Sequence, residues 1–470
     1  MNLKDIKSAH LIGIGGINMS AVAKLLLSQG IKVTGSDLVE SEETRVLAER
    51  VAKISIGHSE SGVPADADIV IYTSAVPESN PEREEARRRD LLELTNFQFL
   101  GEWFKDAKTI LVTGTHGKST TTSMLGLVLE RAGLDPTVIV GSKVPSFPEG
   151  NLRIGQSEYF VIEGDEYAKH FLEFHPYAVL INNIELDHTD IFPTLQDVIA
   201  AFRELISKIK NSGIIVANVG DERVASLIEI ERVNLESRSI RIIRFNGQSE
   251  ADWKISSRQD QESSHLSMER MGVTYRFELS VPGFMNALNA AGAALMAREL
   301  GTEYQDIAVA LQGFKGIWRR FELLKDTDGI KIYSDYGHHP TAVVATLKMV
   351  KEAFPDSRIV LCFQPHHRNR TRNLFDYFVS SFDLADVLVL CEVYDVAGRD
   401  EVADADVSSK NLVEAVVKWD TDSGIKRLVE YAPNPAEAVE KVQSLMKPGD
   451  VVIYMGAGDI DAAIRNKIEF

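Results

Sequence analysis

Short runs of β-branched and aliphatic residues recur along the 470-residue chain, and each runs into glycines or polar residues. The runs at 9–12, 32–35, 68–72, 109–112, 159–162 and 178–181 read as buried strands. Those at 330–335, 358–363, 387–390 and 451–454 repeat the pattern towards the C-terminus. Between them lie helical periods: 21–29 forms one, and Met124, Leu125, Val128 and Leu129 mark another over 120–131, stopped by Gly133. Strand, polar loop and helix in repetition predict an α/β fold with parallel sheets. Residues 252–280 break the rhythm with short alternating runs that predict irregular antiparallel strands, after which 281–289 open an alanine-rich helix. The mixed-sign run 82–90 reads as a solvated helix face. These changes of pattern divide the chain at 1–102, 103–322 and 323–470.

The loops between strand and helix carry the candidate chemistry. Gly114-Thr115-His116-Gly117-Lys118-Ser119-Thr120 joins a buried strand to a helix. Backbone N–H groups and the helix N-terminus can meet phosphates there, a lysine can reach the terminal ones, and a hydroxyl can hold Mg²⁺. Only Thr115 and His116 separate Gly114 from Gly117-Lys118, where the general phosphate-loop pattern has four residues. A plain turn with a surface lysine is the alternative, and the context outweighs it in favour of a nucleoside triphosphate site. Gly13-Ile14-Gly15-Gly16 opens the chain in a Rossmann-like manner, with Ser36-Asp37 about 20 positions on to bind a ribose. Its spacing departs from G-x-G-x-x-G, which favours another diphosphate nucleotide over a nicotinamide. Thr73-Ser74-Ala75 forms a small-residue loop where a ligand could sit.

Two further strand tips in the central segment carry polar clusters, Glu163-Gly164-Asp165-Glu166 and Asn182-Asn183-Ile184-Glu185-Leu186-Asp187-His188. Carboxylates and an imidazole beside a phosphate loop suit Mg²⁺, which takes few protein ligands. In the last segment the tips hold Asp335 to Pro340, Gln364 to Arg372, Glu392 to Asp395 and Met455 to Asp459. Arginines 368, 370 and 372 at one tip predict a carboxylate or phosphate receptor.

Charge and cysteine content narrow the setting. A net charge of −18 and a pI near 5.2 argue against nucleic-acid or anionic-membrane partners, so an anionic ligand needs a local positive pocket. Cys362 and Cys391 sit in apolar runs and read as reduced, buried thiols of a cytoplasmic protein. No apolar run reaches the length of about 18 residues that a membrane span needs. Ala21-Val22-Ala23 has the look of a signal-peptide cleavage site, but Gly13, Gly15 and Gly16 break the apolar stretch and a βαβ pattern continues through it.

The motifs in combination resemble the Mur ligases of peptidoglycan synthesis. The likeness rests on GIGGINMS, GSD, GTHGKST, EGDEY, NNIELDH, N-x-x-N-A, FKGIWRRFE, DYGHHPTA and FQPHHRNRTR, in that order over nearly the whole chain. It implies an N-terminal Rossmann-like domain for a UDP-sugar, a central ATPase domain, and a Rossmann-like C-terminal domain that brings the amino acid. It further implies ATP-dependent amide formation through an acyl phosphate, with ATP and Mg²⁺ as cofactors. By resemblance, Ser119 and Glu163 hold the nucleotide magnesium, His188 a second metal, and Asn183 assists. Asn286 and Asn289 meet the adenine side; Arg320, Asp335, Tyr336 and His338 contact ATP or the transferring phosphate. Gly13, Gly15, Gly16, Ser36, Asp37 and Ser74 fall to the UDP-sugar, and His366, Arg370 and Arg372 to the amino acid.

Within the family, ligases of later peptide positions carry a lysine that becomes carbamylated, and 196–206 contains none. That absence points to UDP-N-acetylmuramate and L-alanine as substrates. DYGHHPT, FQPH with RTR, and Tyr394-Asp395-x-Ala397-Gly398 point the same way. The alternative is the recycling activity that attaches L-Ala-γ-D-Glu-meso-diaminopimelate to the same sugar, whose EADEY pattern is similar to Glu163–Tyr167. Three positions depart from the family pattern: Asn18 for a glycine, Met285 for a histidine, and His367 for an arginine. A cytoplasmic monomer or weak homodimer is expected. A dehydrogenase would leave the phosphate loop and the metal-like tips unexplained, whereas a nucleotide-gated binding module would keep ATP binding but release no phosphate dependent on a sugar-nucleotide and an amino acid.

Overall fold

A computed structural model describes residues 3–50, 53–188, 191–249, 252–260, 262–395 and 407–468. The chain forms two compact units. One takes Met1–Ile184, Val198–Lys254 and Asn289–Ala310; the other takes Glu185–Asp197, Ile255–Leu288 and Leu311–Phe470.

The first unit contains two sheets. Five parallel strands lie in the order Lys53–Ile56, Lys32–Asp37, Ser8–Ile12, Ile69–Tyr72, Leu92–Thr95. Ile12 pairs with both Ser36 and Tyr72, so Gly13, Asp37 and Thr73 emerge together at the carboxyl edge. The second sheet runs Arg241–Phe245, Ile214–Asn218, Ala178–Ile181, Lys108–Thr113, Tyr159–Gly164, Thr137–Ile139, Leu152–Arg153. Only its last strand is antiparallel. Thr113 pairs with Ile181 and Gly164, which brings Gly114, Asn182 and Glu163 to one edge. The apolar runs are continuous because both faces of a parallel sheet are covered by helices. Ala178 to Ile181, for example, are all fully buried.

The second unit holds the strands Lys254–Asp260, Ser263–Arg270 and Val273–Leu279 as a three-stranded sheet, its last pair antiparallel. Its larger sheet runs Glu322–Thr327, Ile330–Asp335, Val451–Met455, Ile359–Phe363, Val387–Cys391, Leu428–Ala432. Four strands were expected and six form: the edge strands Glu322–Thr327 and Leu428–Ala432 are half-exposed and lack an apolar run. Side chains alternate between two cores. Leu361, Phe363, Leu388, Leu390, Ile453 and Met455 fill one, and Val360, Cys362, Val389, Cys391, Val452 and Tyr454 the other. Cys362 and Cys391 are free thiols, and burial raises both, Cys391 to about 12. Among the described residues no helix is long and apolar enough to cross a membrane.

The charged run 82–90 is not a solvated face throughout. It forms the helix Pro81–Arg88, capped by Asn80, whose side chain accepts from the N–H groups of Glu82 and Arg83. Glu82 is wholly buried, accepting from the Ser36 hydroxyl, with His58 Nδ1 at 3.3 Å and His10 Nε2 at 3.5 Å. A charge-counting pattern misses this because the partners come from three other segments. Burial alone would raise the Glu82 pKa, but His10, Ser36 and His58 bring it below the usual carboxylate value. A depressed folded pKa gives stability that is present above the unfolded value and lost as pH falls through the folded one. Glu82→Gln is therefore expected to cost about 1–3 kcal/mol at pH 7, since it leaves buried polar groups mismatched. The gap between variant and parent should narrow as pH drops below 4.5, measured by urea unfolding at pH 7 and pH 3.5.

Candidate functional site

In the first unit the loop after Lys108–Thr113 is shaped by two glycines in the left-handed region, Gly114 at φ +131° and Gly117 at φ +82°. A Cβ on Gly117 would collide with the Asn289 side chain, and one on Gly114 would sit 3.0 Å from the Asn183 backbone. Only glycine lets the chain pass so close. Gly117 caps the helix Lys118–Arg131, leaving N–H groups at its start without a side-chain cap. Asn183 clamps the loop from the neighbouring strand tip: its Oδ1 accepts from His116 N at 2.8 Å, and its Nδ2 donates to the His116 carbonyl at 3.1 Å. The loop N–H of Thr115 also donates to the Asn183 carbonyl.

Lys118 Nζ donates to the carbonyls of Gly114 and Thr115 at 2.8 and 3.2 Å, and to Glu166 at 2.8 Å. Burial works against its charge, but Glu166, Asp165 and Glu163 hold its pKa above the ordinary lysine value. Burial pushes the Glu166 carboxyl up to about 7 against the pull of Lys118. The sequence signal for Glu166 was its place in EGDEY, three residues beyond Glu163. Ser119 Oγ donates to Glu163 Oε1 at 2.9 Å, and Gly141 N donates to Glu163 Oε2 at 2.8 Å. A hydroxyl and a carboxylate at a helix start are hard oxygen donors, and that set fits Mg²⁺. Thr120 is buried behind the loop, and Asn289 stands beside Gly117.

The other edge of this unit carries the first glycine loop. Gly13 takes φ +80° and its N–H donates to the Ser36 carbonyl at 2.8 Å. Gly15 N donates to Asp37 Oδ2 at 2.9 Å. Gly16 and Ser74 are exposed, whereas Ser36 is fully buried with its hydroxyl turned to Glu82 and His58. The geometry thus brings Gly13, Gly15, Gly16 and Asp37 together and places the Ser36 side chain beneath them. Asn18 lies in the first turn of the helix Ile17–Ser28.

In the second unit a polar cluster gathers at the tips of Ile330–Asp335 and Ile359–Phe363. Asp187 is its centre, 6% exposed and bridged by Arg370, whose Nε and Nη2 each lie 2.9 Å from Oδ1. His338 Nε2 and His188 Nε2 stand 3.8 Å from Asp187 Oδ2. Burial opposes the Asp187 charge, yet Arg370, then His338 and His188, keep its pKa well below the carboxylate range. Burial, with Arg370 acting in the same sense, pushes His338 down to about 3, so its ring is neutral at pH 7. Its Nδ1 faces the Tyr336 carbonyl at 3.1 Å. His188 sits at φ +52°, with its N–H donated to Asp187 Oδ1 at 2.7 Å. His366 stacks on Tyr394 with ring centroids 5.4 Å apart and lies 3.4 Å from Arg370 Nη1. His367 is the left-handed residue, φ +68°, that starts the helix Arg368–Asn373, and Arg372 is half-buried on it. Ala397 and Gly398 lie outside the described residues, while Asp395 pairs with Arg368 at 3.0 Å.

Asp335 is buried, accepting from Phe321 N at 2.8 Å and Gly337 N at 2.6 Å; burial raises its pKa, with Arg320 opposing. The Arg320 guanidinium lies 5.2 Å from the Tyr336 ring centroid. Its neighbour Arg319 is the buried one, donating to the carbonyls of Gly456 and Gly458, and burial lowers its pKa. Reading the motif picked only Arg320 from the Arg pair; Asp187 and Arg319 were missed because their partners lie 183 and 137 residues away. Asn286 and Asn289 are one turn apart on the helix Phe284–Glu299, with Asn286 Nδ2 donated to the Pro282 carbonyl at 2.7 Å. Met285 is exposed.

Three family models match the chain: the Mur ligase family catalytic domain over residues 8–108, the Mur ligase middle domain over 112–297, and the Mur ligase glutamate ligase domain over 319–458. The UDP-N-acetylmuramate–L-alanine ligase of Salinibacter ruber is 38% identical over 469 residues, covering 99% of this chain and 95% of that protein. The protein of the same name from Caldicellulosiruptor saccharolyticus is 39% identical, with 97% of each covered. Among solved structures, the UDP-N-acetylmuramate–alanine ligase of Thermotoga maritima aligns with a TM-score of 0.80 at 30% identity, over 98% of this chain and 97% of that one. A murein peptide ligase from Psychrobacter arcticus shares the fold at 23% identity and a TM-score of 0.69.

Proposed function

The chain belongs to the Mur ligase family, and from that premise we propose that it joins L-alanine to the carboxylate of UDP-N-acetylmuramate, using ATP and releasing ADP and phosphate. The observation that carries this reading is identity of 38–39%, over nearly the full length, to ligases named for that reaction. The three-domain α/β architecture agrees with it, and we assign the domains to 1–102, 103–322 and 323–470, close to the stretches the family models match.

The chemistry follows from what the residues can do. The sugar carboxylate attacks the γ-phosphorus, ADP leaves, and an acyl phosphate forms; the amine then attacks the acyl carbon and phosphate departs. Negative charge grows on the transferring phosphoryl group in the first step. Lys118 and the N–H groups at the start of its helix supply fixed positive potential for it. Ser119 and Glu163 would hold Mg²⁺, with His188 at a second metal, and the ion would neutralise phosphate charge. Asn183 keeps the loop in shape, Asn286 and Asn289 serve the adenine side, and Arg320, Asp335, Tyr336 and His338 serve ATP. Gly13, Gly15, Gly16 and Asp37 receive the UDP-sugar with Ser74, and Ser36 acts beneath them. His366, Arg370 and Arg372 meet the amino-acid carboxylate. Arginine forks suit that anion, and Arg370 is held in place for it by Asp187, which takes its Nε and Nη2. The setting we infer is cytoplasmic, as a monomer or weak homodimer.

The test is phosphate release with ATP, Mg²⁺ and UDP-N-acetylmuramate. Release is expected with L-alanine and not with L-Ala-γ-D-Glu-meso-diaminopimelate. Release with the tripeptide alone would overturn the choice of amine and assign the recycling reaction instead.

A further inference from the structure

The helix Ile17–Ser28, which leaves the first glycine loop, carries a buried lysine. Lys24 is 5% exposed, and lysine is almost never buried without partners. Its Nζ donates to Asn151 Oδ1 at 2.9 Å and to the Glu149 carbonyl at 2.9 Å, and lies 3.4 Å from Glu43 Oε2. Asn151 directly precedes the strand Leu152–Arg153 of the other sheet of the same unit and is completely buried. Its Nδ2 donates back to the carbonyl of Ile17 and to Ser20 Oγ at 2.9 Å. The whole side-chain amide of Asn151 is therefore committed to Ile17, Ser20 and Lys24, which lie along about two turns of a helix that is not its own.

The Asn151 backbone is tied in the other direction. Its carbonyl accepts from Val140 N at 3.0 Å, and the next residue, Gly141, donates its N–H to Glu163 Oε2 at 2.8 Å. A short run of hydrogen bonds thus leads from the glycine loop, through Ile17 and Asn151, to the carboxylate beside Ser119. Helix packing alone would need no amide here, because an apolar side chain of the same volume fills such a space without hydrogen-bonding demands. What the amide adds is register: it fixes which turn of the helix faces the second sheet.

We propose that Asn151, held by Lys24, is a positioning residue that sets the distance between the sugar-nucleotide loop and the Glu163–Ser119 end of the phosphate site. The proposal rests on the function proposed above. Acyl-phosphate formation needs the sugar carboxylate in line with the γ-phosphorus, and a displacement of about 1 Å can cost about a hundredfold in rate. A loosened register would also leave the acyl phosphate badly placed for the amine. Water would then attack its carbonyl carbon, regenerate the carboxylate and release phosphate without forming an amide.

The test uses the full chain with Asn151→Leu and the double variant Lys24→Met/Asn151→Leu. The double variant removes both polar partners, so no unpaired buried charge compromises folding; its thermal midpoint is recorded first. kcat should fall about a hundredfold in the double variant, with KM for ATP within about twofold of wild type. More than one phosphate should be released per amide formed. A folded double variant with wild-type kcat would overturn the proposal, as would a fall in kcat with one phosphate still released per amide. Wild-type turnover with L-alanine, run in the same series, reports on the functional reading separately. A wild type with no turnover fails that reading whatever the variants do.

Discussion

Lys118→Met is expected to lower kcat by about a thousandfold, the scale seen when a preorganised charge-stabilising donor is removed from a reacting centre. The ammonium is held by the Gly114 and Thr115 carbonyls and by Glu166, so to meet phosphate it has only to exchange Glu166 for a phosphate oxygen. The substitution should do little to the fold. Glu166 is left buried, but burial has already pushed its carboxyl up to about 7, and without Lys118 it can take a proton at neutral pH rather than stay as an unpaired charge. Phosphate release at saturating substrates checks the first expectation, and the thermal midpoint at pH 7 checks the second. A variant retaining a tenth of wild-type kcat would remove Lys118 from the phosphoryl-transfer step. Lys118→Arg should recover little, because a planar fork cannot occupy the place of a compact ammonium.

Asp187→Asn carries the largest expected cost in stability. It strips the buried Arg370 guanidinium of its counter-charge, and breaking one side of a buried ion pair costs about 3–5 kcal/mol. Asparagine keeps the shape, so the loss is electrostatic. The urea midpoint of the unit carrying Arg370 should fall accordingly, followed by the near-ultraviolet signal of its tyrosines. Adding Arg370→Gln should restore part of that loss, since the two effects are not independent at contact distance. Activity should stay low in both, because Arg370 and His338 lose the group that orients them. Equal stability of Asp187→Asn and wild type would mean the pair is screened in solution.

The parallel sheets were legible because central strands have both faces covered, which leaves unbroken apolar runs such as Ala178–Ile181 and Val387–Cys391. Edge strands were not: Glu322–Thr327 packs only partly and reads as polar. The glycine loops were legible because phosphate chemistry imposes local spacing. Asp187, Arg319, Glu82 and Asn151 were not, for a common physical reason. Each is buried by a partner supplied from far along the chain, 46 residues for Ser36 with Glu82 and 134 for Ile17 with Asn151. A buried polar residue looks like a solvated one until its partner is in place.

The two thiols of the C-terminal sheet lie inside its second core, and both resist ionisation. Thiolate is the species that alkylating reagents and oxidants attack. The folded protein should therefore be inert to such reagents and need no reductant during handling. Any alkyl label it acquires is a record of molecules whose C-terminal sheet has come apart, which makes Cys362 and Cys391 a native counter of unfolding events in a stored sample.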